Sequence, residues 1–165
     1  MIVIKRISAE DALDFKGVRL RALEESPTAF SSTYAKEAEF PDDEWRKRSV
    51  RWSSDGSVGF LAYEGERACG MVFCFEGDED RRRGVIVSMW TDPEFRRGGV
   101  GRELIEAVMQ WAKGLGLSEL KLMVTSVNEG AIAFYERIGF RMTGVTGPYP
   151  NDAAITEFEM ALPLR

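Results

Sequence analysis

The stretch FRRGGVGRELIEAVMQW, residues 95–111, places three glycines in four positions (Gly98, Gly99, Gly101) and runs straight into an amphipathic helix. Glycine at a helix entrance costs backbone entropy and adds no side-chain packing. Behind it, Leu104, Ile105, Val108, Met109, Ala112 and Leu115 predict a broad apolar stripe, with Gly114 and Gly116 bracketing the helix end. A helix N-terminus leaves N–H groups without internal partners and carries the positive end of the dipole. Bare Gly99 and Gly101 would let a diphosphate approach those donors, and Arg96 and Arg97 would add charge. The alternative is a tight strand-to-helix turn that binds nothing. A P-loop is excluded, because Gly101-Arg102-Glu103 stands where Gly-Lys-Ser/Thr is needed. A dinucleotide fingerprint is excluded too, because the loop follows a run of strands joined by short connections instead of opening a parallel sheet.

Around this segment the periodicities predict strand, helices, three strands, helix, strand, helix and two strands. MIVIKRI opens as a strand, and Ser8 with Asp11 resembles a capping box before a helix carrying Ala12, Phe15, Val18, Ala22 and Leu23. Pro27 stops that helix, and DDEWRKRSVRW reads as a second one with Asp42 as its cap. The intervening ESPTAFSSTYAKEAEF mixes polar and aromatic residues and is expected to be a flexible flap outside the core. Glu64-Gly65 predicts a hairpin turn, VIVSMW a strand ending at Thr91, and ELKLMVT a strand with Leu120, Leu122 and Val124 inward. NEGAIAFYERIGF is a short helix closing at Gly139. FRMTGV and ITEFEMALPL are the last strands, separated by a turn-rich TGPYPND.

The length of 165 residues and 44% hydrophobic content predict one domain over residues 1–165 with a sizeable core. A net charge of -5 opposes a general nucleic-acid surface, and Arg81, Arg82 and Arg83 follow Glu76, Asp78, Glu79 and Asp80, as in a solvated connection. Histidine is absent, which removes Ser-His-Asp and Cys-His catalysis. Cys69 and Cys74, five apart, are expected on opposite faces of one strand, unable to form a disulfide or a four-ligand zinc site, so no metal is expected. No long apolar segment or export leader is apparent, and the expectation is a cytoplasmic protein without membrane contact.

Arg96, Gly99 and Gly101 match the pattern Arg/Gln-x-x-Gly-x-Gly/Ala, preceded by DPEFR. Downstream, Asn128, Ala131, Tyr135, Glu136, Gly139 and Phe140 match Asn-x-x-Ala-x-x-x-Tyr-Glu-x-x-Gly-Phe. On these two motifs the sequence resembles the GNAT family of N-acetyltransferases, with the charge and the glycine exchanged at Arg97 and Gly98. The resemblance implies a mixed α/β fold, its central twisted mixed sheet splayed between the fourth and fifth strands and flanked by helices. It also implies acetyl-CoA as acyl donor, its pantetheine arm lying in the splay against backbone at Met89, Trp90 and Thr91. The diphosphate would lie against Arg96, Arg97, Gly98, Gly99, Val100, Gly101 and Arg102, with Asn128 and Tyr135 completing the cofactor contacts.

Acyl transfer to an amine needs proton removal, oxyanion stabilisation and protonation of the leaving thiolate. Tyr135 is the candidate acid, since a phenol stays protonated at neutral pH; it could equally pack as a core residue. Asn128 could simply cap its helix. No base is assigned, although Glu76, Glu157 and Glu159 lie on strands that could border an acceptor cleft. Phe30, Tyr34 and Tyr149 could line that cleft, and Glu24 and Glu25 could attract a cation. The expected activity is direct transfer to a primary amine of a small molecule or a peptide N-terminus, with a homodimer left open. The alternatives are a non-catalytic acetyl-CoA-binding module, and transfer to a hydroxyl or of a longer acyl group.

Overall fold

The computed structural model describes residues 1–77, 79 and 82–165. Asp78, Asp80 and Arg81 of the expected charged connection lie outside the described residues. In chain order the elements are β1 (Ile2–Arg6), α1 (Ala12–Glu25), α2 (Tyr34–Glu37), α3 (Asp42–Arg51), β2 (Ser57–Glu64), β3 (Arg67–Glu76) and β4 (Arg83–Thr91). There follow α4 (Val100–Gly114), β5 (Glu119–Thr125), α5 (Glu129–Ile138), β6 (Arg141–Tyr149) and β7 (Asp152–Pro163). The strands form one mixed sheet in the order β1-β2-β3-β4-β5-β7-β6. Among the described residues β4 and β5 are the one parallel pair, and the other neighbouring pairs are antiparallel.

Each face of the sheet carries its own core. On one side Val100, Leu104, Ile105, Val108 and Ala112 of α4 pack with Leu120, Leu122, Val124, Phe140 and Met160. Full burial of such side chains contributes roughly 1.5–3 kcal/mol each. That outweighs the roughly 1 kcal/mol cost of one glycine in the helix. On the other side Phe15, Val18, Ala22 and Leu23 of α1 meet Trp45 of α3 and Leu61, Met71 and Phe73 of the sheet. Trp45 meets Phe15 edge-on at 5.3 Å between ring centroids.

Several boundaries differ from expectation for local reasons. Asp42 is the first helical residue of α3 and Pro41 takes the cap position, the proline's fixed φ suiting the entrance. The β2–β3 turn is Gly65-Glu66, since Glu64 still pairs with Arg67; Gly65 takes a φ of +61°. TGPYPND is mostly strand: β6 continues to Tyr149, and Pro148 is tolerated because β6 is the sheet edge. Leu115, beyond the end of α4, is exposed, and Leu117 fills the core instead. The cysteines share one core, against the expectation of opposite faces. Tyr63 pairs with Ala68 and Ala62 with Gly70, so Cys69 is an extra residue that shifts the alternation. Both thiols are free and buried.

The expected flap is also revised. Phe30 is buried, and its carbonyl accepts hydrogen bonds from the Tyr149 hydroxyl and from Asn151 Nδ2, the latter at 3.1 Å. Glu37 is completely buried between Arg19 and Arg48. Residues 26–40 are therefore partly core, and the β6–β7 hairpin pins them.

Candidate active site

Among the described residues β4 and β5 pair at three positions, Arg83 with Glu119, Gly84 with Leu120 and Val85 with Lys121. An ion pair of 2.6 Å between Arg83 Nε and Glu119 Oε1 closes that end. Beyond it the strands part, and residues 86–91 face residues 122–125 across a gap without a shared ladder. A bulge in β4 accompanies the separation. Trp90 pairs with Met71 and Val87 with Phe73, so Ser88 and Met89 together oppose the single residue Val72. Ser88 sits at a φ of 55°, a left-handed conformation that costs a residue bearing Cβ on the order of 1–3 kcal/mol.

The N-terminus of α4 lies beside this gap. Gly99 caps it at a φ of 87°, and a Cβ built there would meet nothing within 4 Å. That position is open, as an approaching anion requires. Gly101 is bare for another reason: its Cβ would lie 2.9 Å from Phe134 Cζ and 3.3 Å from Met89 Cε. The missing side chain admits α5 and β4 there, not an incoming ligand. Val100 is core, and Arg97 shares the left-handed backbone of the loop at a φ of 70°. Arg96, expected to add charge at the loop, already has protein partners. Its Nε donates to the Thr91 carbonyl at 3.0 Å, and its terminal nitrogen pairs with Glu25. The same Glu25 oxygen accepts from Trp90 Nε1 at 3.0 Å and from the Ser26 hydroxyl. Burial raises the Glu25 carboxyl, but the hydrogen bonds from Ser26, Arg96 and Trp90 outweigh it and hold the group below the usual range.

Asn128 caps α5, its Oδ1 accepting from Ala131 N at 3.2 Å. Two turns on, Tyr135 is buried between Phe134 and Phe140, with ring centroids 5.3 and 5.5 Å away. Burial pushes its phenol well above the usual range, so the group stays protonated. Among the described residues its hydroxyl has no hydrogen-bond partner, and it is not one of the polar atoms sealed from solvent. Two other hydroxyls are sealed and unpartnered: Thr91 Oγ1 and Thr125 Oγ1, at the open ends of β4 and β5. Unpaired strand edges, orphaned hydroxyls and an open helix N-terminus together fit an extended amide-bearing arm ending in a diphosphate.

The three carboxylates considered as bases separate. Glu76 pairs with Gly84 at the closed end of the sheet, away from the gap. Glu159 accepts from Thr143 Oγ1 at 3.0 Å. Glu157 stands opposite Thr125 at the open end, and burial raises its carboxyl above the ordinary value. Of the proposed cleft residues, Tyr149 and Phe30 are buried, and Tyr34 and Glu24 are exposed.

Sequence reasoning missed one cluster altogether. Arg19 makes a two-pronged pair with Glu37, at 3.0 and 2.9 Å, and donates to Ser88 Oγ at 2.8 Å. Its guanidinium also lies 5.0 Å from the Phe30 ring centroid. The available signal was Arg19 itself, four residues from both Phe15 and Leu23 on the apolar stripe of α1.

The acetyltransferase (GNAT) family model matches residues 20–140. Human N-acetyltransferase 8 is 32% identical over 95 residues, covering 56% of this chain and 42% of that protein. The chain thus spans less than half of that relative's length. The peptidyl-lysine N-acetyltransferase YjaB of Escherichia coli is 25% identical over 160 residues, covering 91% of this chain and 93% of the relative. The crystal structure of an N-acetyltransferase from Thermoplasma acidophilum in complex with coenzyme A superimposes with a TM-score of 0.78 at 18% identity, covering 99% of both chains. The family match spans both glycine-loop and tyrosine motifs, and the splayed sheet is the fold that those motifs imply. The chain belongs to the GNAT family of acetyltransferases.

Proposed function

We propose that this protein transfers an acetyl group from acetyl-CoA to a primary amine, of a small molecule or a peptide N-terminus, by direct attack within a ternary complex. The observation that supports this most is the interrupted β4–β5 ladder with the open N-terminus of α4 beside Met89 of β4; Tyr135 of α5 adds a hydroxyl held protonated by burial. Acetyl-CoA supplies the activated thioester. The rest falls to the chain: α4 N–H groups and Gly99 receive the diphosphate, and the free edges of β4 and β5 receive the pantetheine amides. Tyr135 holds a proton for the leaving sulfur, and Asn128 keeps α5 in register beneath it. Glu157 is the carboxylate that takes the acceptor's proton, directly or through water, because burial brings its affinity nearer to neutrality. We place this activity in the cytoplasm.

The test is a thiol-release assay with acetyl-CoA against amines, alcohols and peptides, recording product masses. Acetylated amine is expected; acetyl-CoA binding without turnover on any acceptor would favour a binding module.

Two variants probe the assignments. Gly99→Glu strains a left-handed position and puts a carboxylate at the positive end of α4. Acetyl-CoA affinity should fall more than about tenfold by calorimetry, with a near-native circular-dichroism spectrum. For Glu157, the base must be ionised, so the rate should decline as pH falls through its raised pKa. Glu157→Gln should lower kcat on the order of 10²-fold and remove that acid limb. A retained limb would assign it to another group.

A further inference from the structure

The buried cluster around Arg19 has no part in the roles above, yet it touches the strand that opens the gap. Two guanidiniums, Arg19 and Arg48, flank the one carboxylate of Glu37. Replacing such a buried ion cluster with apolar packing is often neutral or stabilising, so stability alone is a weak reason for it. Arg19 also spends a third donor on Ser88 Oγ, at the left-handed residue of the β4 bulge. Val87, Ser88 and Trp90 all face the α1 side, while Met89 reaches the α4 side beside Gly101. Two consecutive side chains on one face need a turn of the backbone at Ser88, and Arg19 grips that side chain. The same guanidinium holds Glu37 of α2 and lies over Phe30, both in the segment pinned by the β6–β7 hairpin.

We propose that Arg19 is a positioning residue for acyl transfer: through Ser88 it fixes the β4 bulge, and through Glu37 and Phe30 it ties that bulge to the pinned segment of residues 26–40. This rests on the acetyl-CoA reading above. The Ser88–Met89 peptide lies outside the β3 ladder, and its groups are the ones the bulge makes available to an acyl carbonyl oxygen beside β4. Lysine could not replace Arg19, because one ammonium cannot make a fork to Glu37 and reach Ser88 together.

The test compares acetyl-CoA with S-ethyl-CoA, which lacks only the carbonyl oxygen, by calorimetry. Wild type should prefer acetyl-CoA. Ser88→Ala, which leaves the Arg19–Glu37 pair intact, should reduce that preference about five- to tenfold with S-ethyl-CoA affinity unchanged. Ser88→Gly, free to adopt a positive φ, should recover part of the loss. Arg19→Lys should show the same selective loss as Ser88→Ala. A lowered melting temperature with an unchanged preference would make the cluster purely structural and overturn the proposal. So would equal affinity of the wild type for both ligands, or equal weakening of both by Ser88→Ala. Failure of the wild type to bind either ligand would instead remove the acetyl-CoA reading on which the proposal rests.

Discussion

Tyr135→Phe is expected to slow the chemical step on the order of 10²–10⁴-fold, the range for a positioned general acid. The substitution isolates the hydroxyl cleanly. The ring contacts with Phe134 and Phe140 remain, and among the described residues no internal hydrogen bond to the hydroxyl is lost. The melting temperature and the affinity for acetyl-CoA should therefore stay close to wild type. The measurement is a single-turnover rate with an acceptor identified by product mass. A wild-type rate would return Tyr135 to a packing role and leave the thiolate to depart without a protein proton.

Glu37→Gln is expected to destabilise the fold by about 3–5 kcal/mol, the usual cost of leaving buried charges without their partner. Arg19 would lose both oxygens of its fork as a carboxylate, and Arg48 its 3.0 Å contact. The variant's midpoint in urea should fall with little change in slope. The pH dependence has a definite sign. Burial raises the Glu37 carboxyl, but hydrogen bonding and charge from Arg19, then contributions from Ser32 and Arg48, bring it below its ordinary value of 4.5. Its contribution is thus present above that value and lost as pH falls through the depressed one. Wild type should lose this part of its stability in acid, and the Gln variant should show a shallower acid slope. Equal slopes would show that Glu37 does not govern acid unfolding.

The sequence carried the element order because periodicity is local, and it marked the glycine loop as a pattern while leaving a plain helix-entry turn as the alternative, since glycine is an ordinary cap residue. Tyr135 and Asn128 stand out by the motif they share with the family, while their spacing alone fits a core ring and a helix cap equally well. What it could not carry depends on contacts distant in the chain. Glu37 looks solvated in AKEAEF, and only the fold brings Arg19 and Arg48 to it. Gly101 looks like Gly99, but Phe134 occupies its empty side. The face of Cys69 follows from a bulge, and one inserted residue inverts every parity argument along a strand. Ser88 carries no mark of its left-handed backbone, since serine ordinarily avoids it.

The short β4–β5 ladder has a bearing on how the protein keeps from aggregating. Most sheets have two outer edges to guard, where unpaired amides and carbonyls can template another strand. Here the interruption adds two interior edges, residues 86–91 and 122–125, beyond the three pairs that join the strands among the described residues. A ligand lying between them would cover both at once, and at a thousandfold excess over its Kd would add about 4 kcal/mol to the folded state. On the function proposed above, the supply of acetyl-CoA would bear on the chain's persistence as well as on its turnover.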